Sequence, residues 1–218
     1  MKKIKLSEGK RFYLITGICA LVLYVALAFC VKLNFNFVNI IDNYEHHAMA
    51  SNLSISKVSV IHTLTNLGSP IVAIFAITLI SLILCHHKYY LEAFFCETAM
   101  IIGNIIAELC KFIIARPRPS YKIYTDNSFS FPSGHVFDTT LLVLVMLTLV
   151  IPKLKNDTYQ IILGALLIIW NGFIIFSRIF LGEHYFTDTL GSVLLAIALW
   201  MFTLYLKINY VSILNSKK

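Results

Sequence analysis

The sequence is short of charge: Asp, Glu, Lys and Arg make up 13% of its 218 residues, against about a quarter in a soluble domain. Hydrophobic residues make up 58%. That much apolar surface has to face something other than water, and lipid fits. Paired cysteines are also missing. Cys19, Cys30, Cys85, Cys96 and Cys110 lie within or at the ends of apolar stretches, with no CxxC spacing. They read as small buried hydrophobes without chemistry. The absence of a basic run interleaved with aromatics excludes nucleic acid as a partner. With no repeat and no low-complexity linker, residues 1–218 read as a single membrane domain. No small-residue cleavage site follows the first apolar run, which continues through Val31-Lys32-Leu33-Asn34. It reads as a retained span and not as a signal peptide.

Six apolar segments remain, near 13–31, 58–85, 91–114, 134–152, 159–179 and 189–210. Each approaches the roughly 20 helical residues that cross a hydrocarbon core. Backbone groups in lipid must bond within their own segment, so the expected fold is all-α, a polytopic protein of six transmembrane helices. The third segment carries Glu92, Glu97, Glu108 and Lys111 and cannot be a passive lipid-facing span. Lys207, near the end of the sixth, is placed to snorkel to the interface. Residues 32–57 space their apolar side chains three or four apart, as an interfacial amphipathic helix does. His46 and His47 within it read as solvated residues, because no metal-ligand spacing surrounds them. The net charge of +7 suits basic loops against anionic headgroups. Eleven Lys and Arg fall on one side of this topology and seven on the other. Both termini are therefore expected in the cytoplasm, with loops 115–133 and 180–188 outside.

Three polar stretches then fall at one outer edge. They are Lys111 to Pro119, Phe131-Pro132-Ser133-Gly134-His135, and Ser177-Arg178 followed by His184 and Asp188. Singly, each has an ordinary explanation as an interfacial anchor or a helix cap. Together they gather three cations and two histidines, and clustered ionisable groups at a membrane edge point to function. Lys111, Arg118 and Arg178 supply cationic donors, the arginines as planar forks matched to phosphate oxygens. Ser133 and Gly134 place backbone N–H groups at a helix N-terminus, which favours a phosphate. His184 and Asp188, four apart, share a face if a helix begins there. Asp188 would hold the proton on one imidazole nitrogen and leave the other to attack phosphorus. His135 is positioned to protonate the leaving oxygen. A metal at His184 and Asp188 would need more carboxylates or histidines, whereas the neighbours are cations. No metal or other cofactor is expected.

These stretches resemble the three motifs of the type 2 phosphatidic acid phosphatase (PAP2) superfamily: Lys-x6-Arg-Pro, Pro-Ser-Gly-His and Ser-Arg-x5-His-x3-Asp. They stand here as Lys111 to Pro119, Pro132 to His135 and Ser177 to Asp188. The resemblance extends to the six-helix layout and to Asn66-Leu-Gly-Ser-Pro70. It implies a haloperoxidase-like helical core, with His184 as nucleophile, Asp188 as its orienting partner and His135 as general acid and then base. Lys111, Arg118, Ser133, Gly134 and Arg178 would bind the phosphoryl group. Val136, Phe186 and Ser192 depart from the usual pattern, the last two standing where Pro and Gly are common. The implied reaction is hydrolysis of a membrane lipid phosphate at the outer face of a bacterial plasma membrane. Undecaprenyl diphosphate is the first expectation, with phosphatidylglycerophosphate or phosphatidate as alternatives. A soluble haloperoxidase is disfavoured by the six spans. An anion transporter would need more polar residues at mid-membrane than Glu97, Asn104 and Asn171 provide. Nothing in the sequence addresses oligomeric state.

Overall fold

The computed structural model describes residues 2–50, 55–120 and 128–216. The side chains of His46 and His47, and the loop residues 121–127, lie outside that description. All regular structure among the described residues is helical. In chain order the helices are α1 (Lys2–Lys32), α2 (Asn36–Ala50), α3 (Ile55–Thr65), α4 (Pro70–His86), α5 (Tyr90–Ile114), α6 (Gly134–Val145), α7 (Asp157–Phe180) and α8 (Phe186–Ser216). Six helical stretches are long and apolar enough to cross a membrane, the second formed by α3 and α4 together through a tight turn at Asn66–Gly68. The expected spans are matched to within a few residues. The sixth is longer than expected at both ends, Phe186–Ser216 against 189–210.

The helix boundaries have local causes. Asn34, at φ 56°, takes the left-handed conformation that turns the chain from α1 into α2. Ser69 precedes Pro70, whose fixed φ suits the first position of α4. Asn156 caps α7 by accepting from the backbone of Thr158 at 2.8 Å and Tyr159 at 3.3 Å. Ala115, at φ 53°, ends α5, its N–H returning to the Lys111 carbonyl at 2.8 Å. Lys32 donates to the last α5 carbonyls, Ile113 at 2.8 Å and Ile114 at 3.1 Å. Lys32 therefore caps the C-terminal end of α5.

Helix α8 is the hub, with α1 along one flank and α6 along another, while α5 packs against both α4 and α8. The central residues Trp200, Phe137, Leu141 and Ile77 are buried. Gly103 lets α5 come close to its neighbours, since a Cβ there would sit 2.6 Å from Leu199 and 2.8 Å from Phe137. Outward faces carry Ile71, Phe75, Ile161 and Ile169, all strongly exposed, which lipid would cover. Two polar residues of the third span bond to other helices of the bundle. Glu92 pairs with Lys207 of α8 at 2.9 Å. Asn104 donates to Asp138 of α6 at 2.8 Å. Lys207, expected to snorkel, therefore has a carboxylate partner within the bundle.

Candidate active site

One edge of the bundle collects the end of α5, the start of α6, the end of α7 and the turn into α8. After Ala115 the chain leaves the helix, and Arg116 and Arg118, two residues apart, reach different partners. The returning segment docks through the Ser130 N–H, which donates to the Arg116 carbonyl at 2.9 Å. Pro132, in a cis peptide bond, then leads through Ser133 into Gly134, the first residue of α6.

His184 is almost wholly buried, and its Nδ1 lies 2.8 Å from the Ser130 backbone carbonyl. A carbonyl oxygen only accepts, so Nδ1 carries the proton and Nε2 keeps its lone pair. Nε2 lies 3.3 Å from Nη1 of Arg118. Burial, and the nearby Arg178 and Arg118 cations, push the imidazole down to about 4 against the pull of Asp188. The imidazole is therefore neutral at ordinary pH.

Two sequence expectations need amendment. Asp188 Oδ2 is 3.7 Å from Nδ1, so the direct partner of His184 is the Ser130 carbonyl, with Asp188 one step behind. Nor do His184 and Asp188 share a helical face, because α8 begins at Phe186 and His184 precedes it. Asp188 instead reaches back to accept from the Tyr185 N–H at 2.9 Å, the return half of a capping box. Its two oxygens also accept from the Ser130 hydroxyl and from Arg116 Nη1, the latter at 2.5 Å. Asp188 thus fixes the loop that carries the Ser130 carbonyl.

The residues expected to bind phosphate meet here. Lys111 Nζ lies 3.8 Å from where a Cβ on Gly134 would stand, over the start of α6, and pairs with Glu108 at 2.6 Å. The Ser133 hydroxyl is buried and has no hydrogen-bond partner among the described residues. Arg118 and Arg178 converge on the Glu183 carboxylate, at 3.0 Å and 3.5 Å. His135, the second residue of α6, lies within electrostatic reach of His184, Arg178, Arg118 and Lys111. The Ser192 hydroxyl shares its one proton between the carbonyls of Ser133, at 3.0 Å, and Asp188, at 2.8 Å. A glycine there would leave this link between α8 and α6 unmade.

Four contributors were not singled out from the sequence: Ser130, Glu183, Arg116 and Asp42. Arg116 bridges two carboxylates, Asp42 of α2 at 2.6 Å and Asp188 at 2.5 Å, with its guanidinium 4.0 Å from the Tyr185 ring centroid. Burial works against its charge, but Asp188 and Asp42 outweigh it and hold the guanidinium above its usual range. Asp42 also accepts from the Thr187 N–H at 3.1 Å and hydroxyl at 2.8 Å. The surface helix α2 is therefore tied to the first turn of α8. The only sequence signal for Arg116 was a basic residue at an open position inside the first motif, and Asp42 gave none.

The family model of the PAP2 superfamily matches residues 92–211, more than half the chain and all three motifs. The fold is similar to the crystal structure of a transmembrane PAP2-type phosphatidylglycerolphosphate phosphatase from Bacillus subtilis, with a TM-score of 0.75 at 20% identity. The superposition covers 86% of this chain and 94% of that one. A comparison with curated proteins finds no match.

Proposed function

The chain belongs to the PAP2 superfamily, and on that premise we propose that it hydrolyses lipid phosphates through a phosphohistidine at His184. One observation carries this reading: the Ser130 carbonyl holds the proton on Nδ1, which leaves the Nε2 lone pair beside Arg118. Nε2 attacks phosphorus and forms the P–N bond as the bond to the lipid oxygen breaks. His135 gives that oxygen its proton. The same imidazole then takes a proton from water, which attacks the phosphohistidine and returns His184 with phosphate released. Lys111, Arg118, Arg178, the Ser133 hydroxyl and the N–H groups at the start of α6 neutralise and orient the phosphoryl oxygens. These cations supply the charge that a metal supplies in other phosphatases, so activity should survive EDTA. Loss of activity restored by a divalent ion would contradict this.

The reading places the site on the outer face, with both termini cytoplasmic, from the asymmetry of Lys and Arg. In a variant without native cysteines, Ser120→Cys should react with an impermeant maleimide on intact cells and Lys155→Cys should not. The reverse pattern would put the site inside. An outer site meets lipid phosphates displayed on that leaflet, and several cations with a helix N-terminus accommodate a diphosphate well. The proposed substrate is undecaprenyl diphosphate, cleaved to the monophosphate. Phosphatidylglycerophosphate is the second reading, favoured by the activity of the structurally similar Bacillus subtilis protein. Comparison of kcat/KM for the two lipids in mixed micelles decides between them. Preference for the glycerolipid reverses the substrate assignment and leaves the phosphohistidine intact.

A further inference from the structure

The residue immediately before His184 is a buried glutamate in a site built for anions. Glu183 is 4% exposed, and its Oε2 lies 3.0 Å from Nη1 of Arg118 and 3.5 Å from Nη2 of Arg178. The same Arg118 nitrogen donates to the Glu183 backbone carbonyl at 2.9 Å, so Glu183 engages Nη1 twice. On the other side of the fork, Nε and Nη2 donate to the Ser128 carbonyl at 3.0 Å and hydroxyl at 2.8 Å. Nη1 is also the Arg118 atom beside His184 Nε2, at 3.3 Å. The Arg118 atom beside the proposed nucleophile is therefore engaged by a carboxylate.

A carboxylate and a phosphoryl oxygen ask for the same thing from an arginine: in-plane, charge-assisted N–H bonds. They also repel each other strongly in a site removed from water. We propose that the Glu183 carboxylate occupies, in the ligand-free protein, the arginine donors that an incoming phosphoryl group takes over. This deepens the reading of the site as a phosphatase centre and rests on it. Between turnovers Glu183 keeps two buried cations paired and their forks oriented, which avoids leaving uncompensated charge inside the protein. During turnover it lowers the affinity for inorganic phosphate, so the second product leaves instead of blocking the site. The opposing role, a clamp that only orients the arginines, makes the contrary prediction. Without the clamp, phosphate would bind more weakly.

The test is the competitive inhibition constant of inorganic phosphate against p-nitrophenyl phosphate hydrolysis, for the full-length protein and Glu183→Gln. Glutamine keeps the shape and one acceptor oxygen but removes the charge. Phosphate should inhibit the variant about tenfold more tightly, a conservative figure for one like charge removed from a partly screened site. An unchanged or weaker constant in an active variant overturns the inference while the phosphatase reading stands. A wild-type protein that neither hydrolyses phosphate esters nor binds phosphate overturns both. Should Glu183→Gln fail to fold, the wild-type structure with vanadate decides. The inference requires Glu183 Oε2 to leave Arg118 Nη1 and a vanadate oxygen to replace it. Vanadate bound with both Glu183–arginine contacts intact would contradict it.

Discussion

Arg116 and Arg118 are the same residue type, two positions apart in one Arg-Pro-Arg-Pro run, and the fold uses them in opposite ways. Arg116 is enclosed by structural carboxylates, Asp42 at 2.6 Å and Asp188 at 2.5 Å. Arg118 contacts the loops of the proposed reaction site and lies 3.3 Å from His184 Nε2. The first is bonded to groups that stay put; the second to groups among which a substrate must fit. Residue type predicts a cation in both places. The partner set decides whether that cation holds the scaffold or meets the ligand.

The largest separation between the two should come from alanine substitution. Arg118→Ala should lower kcat/KM by about 10²–10³, the range for one removed donor to a developing oxyanion, with a smaller loss of stability because Glu183 keeps Arg178 at 3.5 Å as its cation. Arg116→Ala should instead destabilise the fold by about 3–5 kcal/mol, because it strands Asp42 and Asp188 as unpaired buried charges. Thermal unfolding in detergent alongside steady-state kinetics separates the two effects. Equal stability losses, or an Arg116→Ala protein of native stability, would erase the distinction.

A milder change sharpens the same comparison. Asp42→Asn keeps the shape of the link between α2 and Thr187 but removes its charge. The expected loss is roughly 1–3 kcal/mol of stability, with kcat reduced far less than by Arg118→Ala. A kcat loss as deep as that of Arg118→Ala would assign Asp42 to the chemistry.

The smallest effect is a titration. Burial holds His184 at about 4 in the folded protein, below the roughly 6.5 of an unfolded chain. The unfolded state therefore binds more protons between those values, and His184 adds stability that is lost as pH falls through that window. Histidine NMR of the ligand-free protein at pH 5.5 should show His184 neutral with its proton on Nδ1. An imidazolium signal at that pH would contradict the burial argument.

Much of this was legible in the sequence. Six apolar stretches gave the spans, because lipid forces each one to close its own hydrogen bonds. The residues of Lys111–Pro119, Pro132–His135 and Ser177–Asp188 gave the site, because charges concentrated at a membrane edge need a reason. What escaped had no local sign. Asp42 meets Thr187 across 145 positions, and no periodicity links them. The partner of His184 Nδ1 is a backbone carbonyl, which every residue possesses. Glu183 sits inside the third motif, but a carboxylate among phosphate-binding arginines runs against the charge logic that identified the site.

The central claim is that His184 becomes covalently phosphorylated. Rapid quenching of the wild-type protein with a labelled lipid phosphate should trap label that is acid-labile and base-stable, and that maps to the peptide containing His184. His184→Ala should carry no label and lose turnover by several powers of ten. Label on another residue, or a His184→Ala protein that still turns over, would contradict the account.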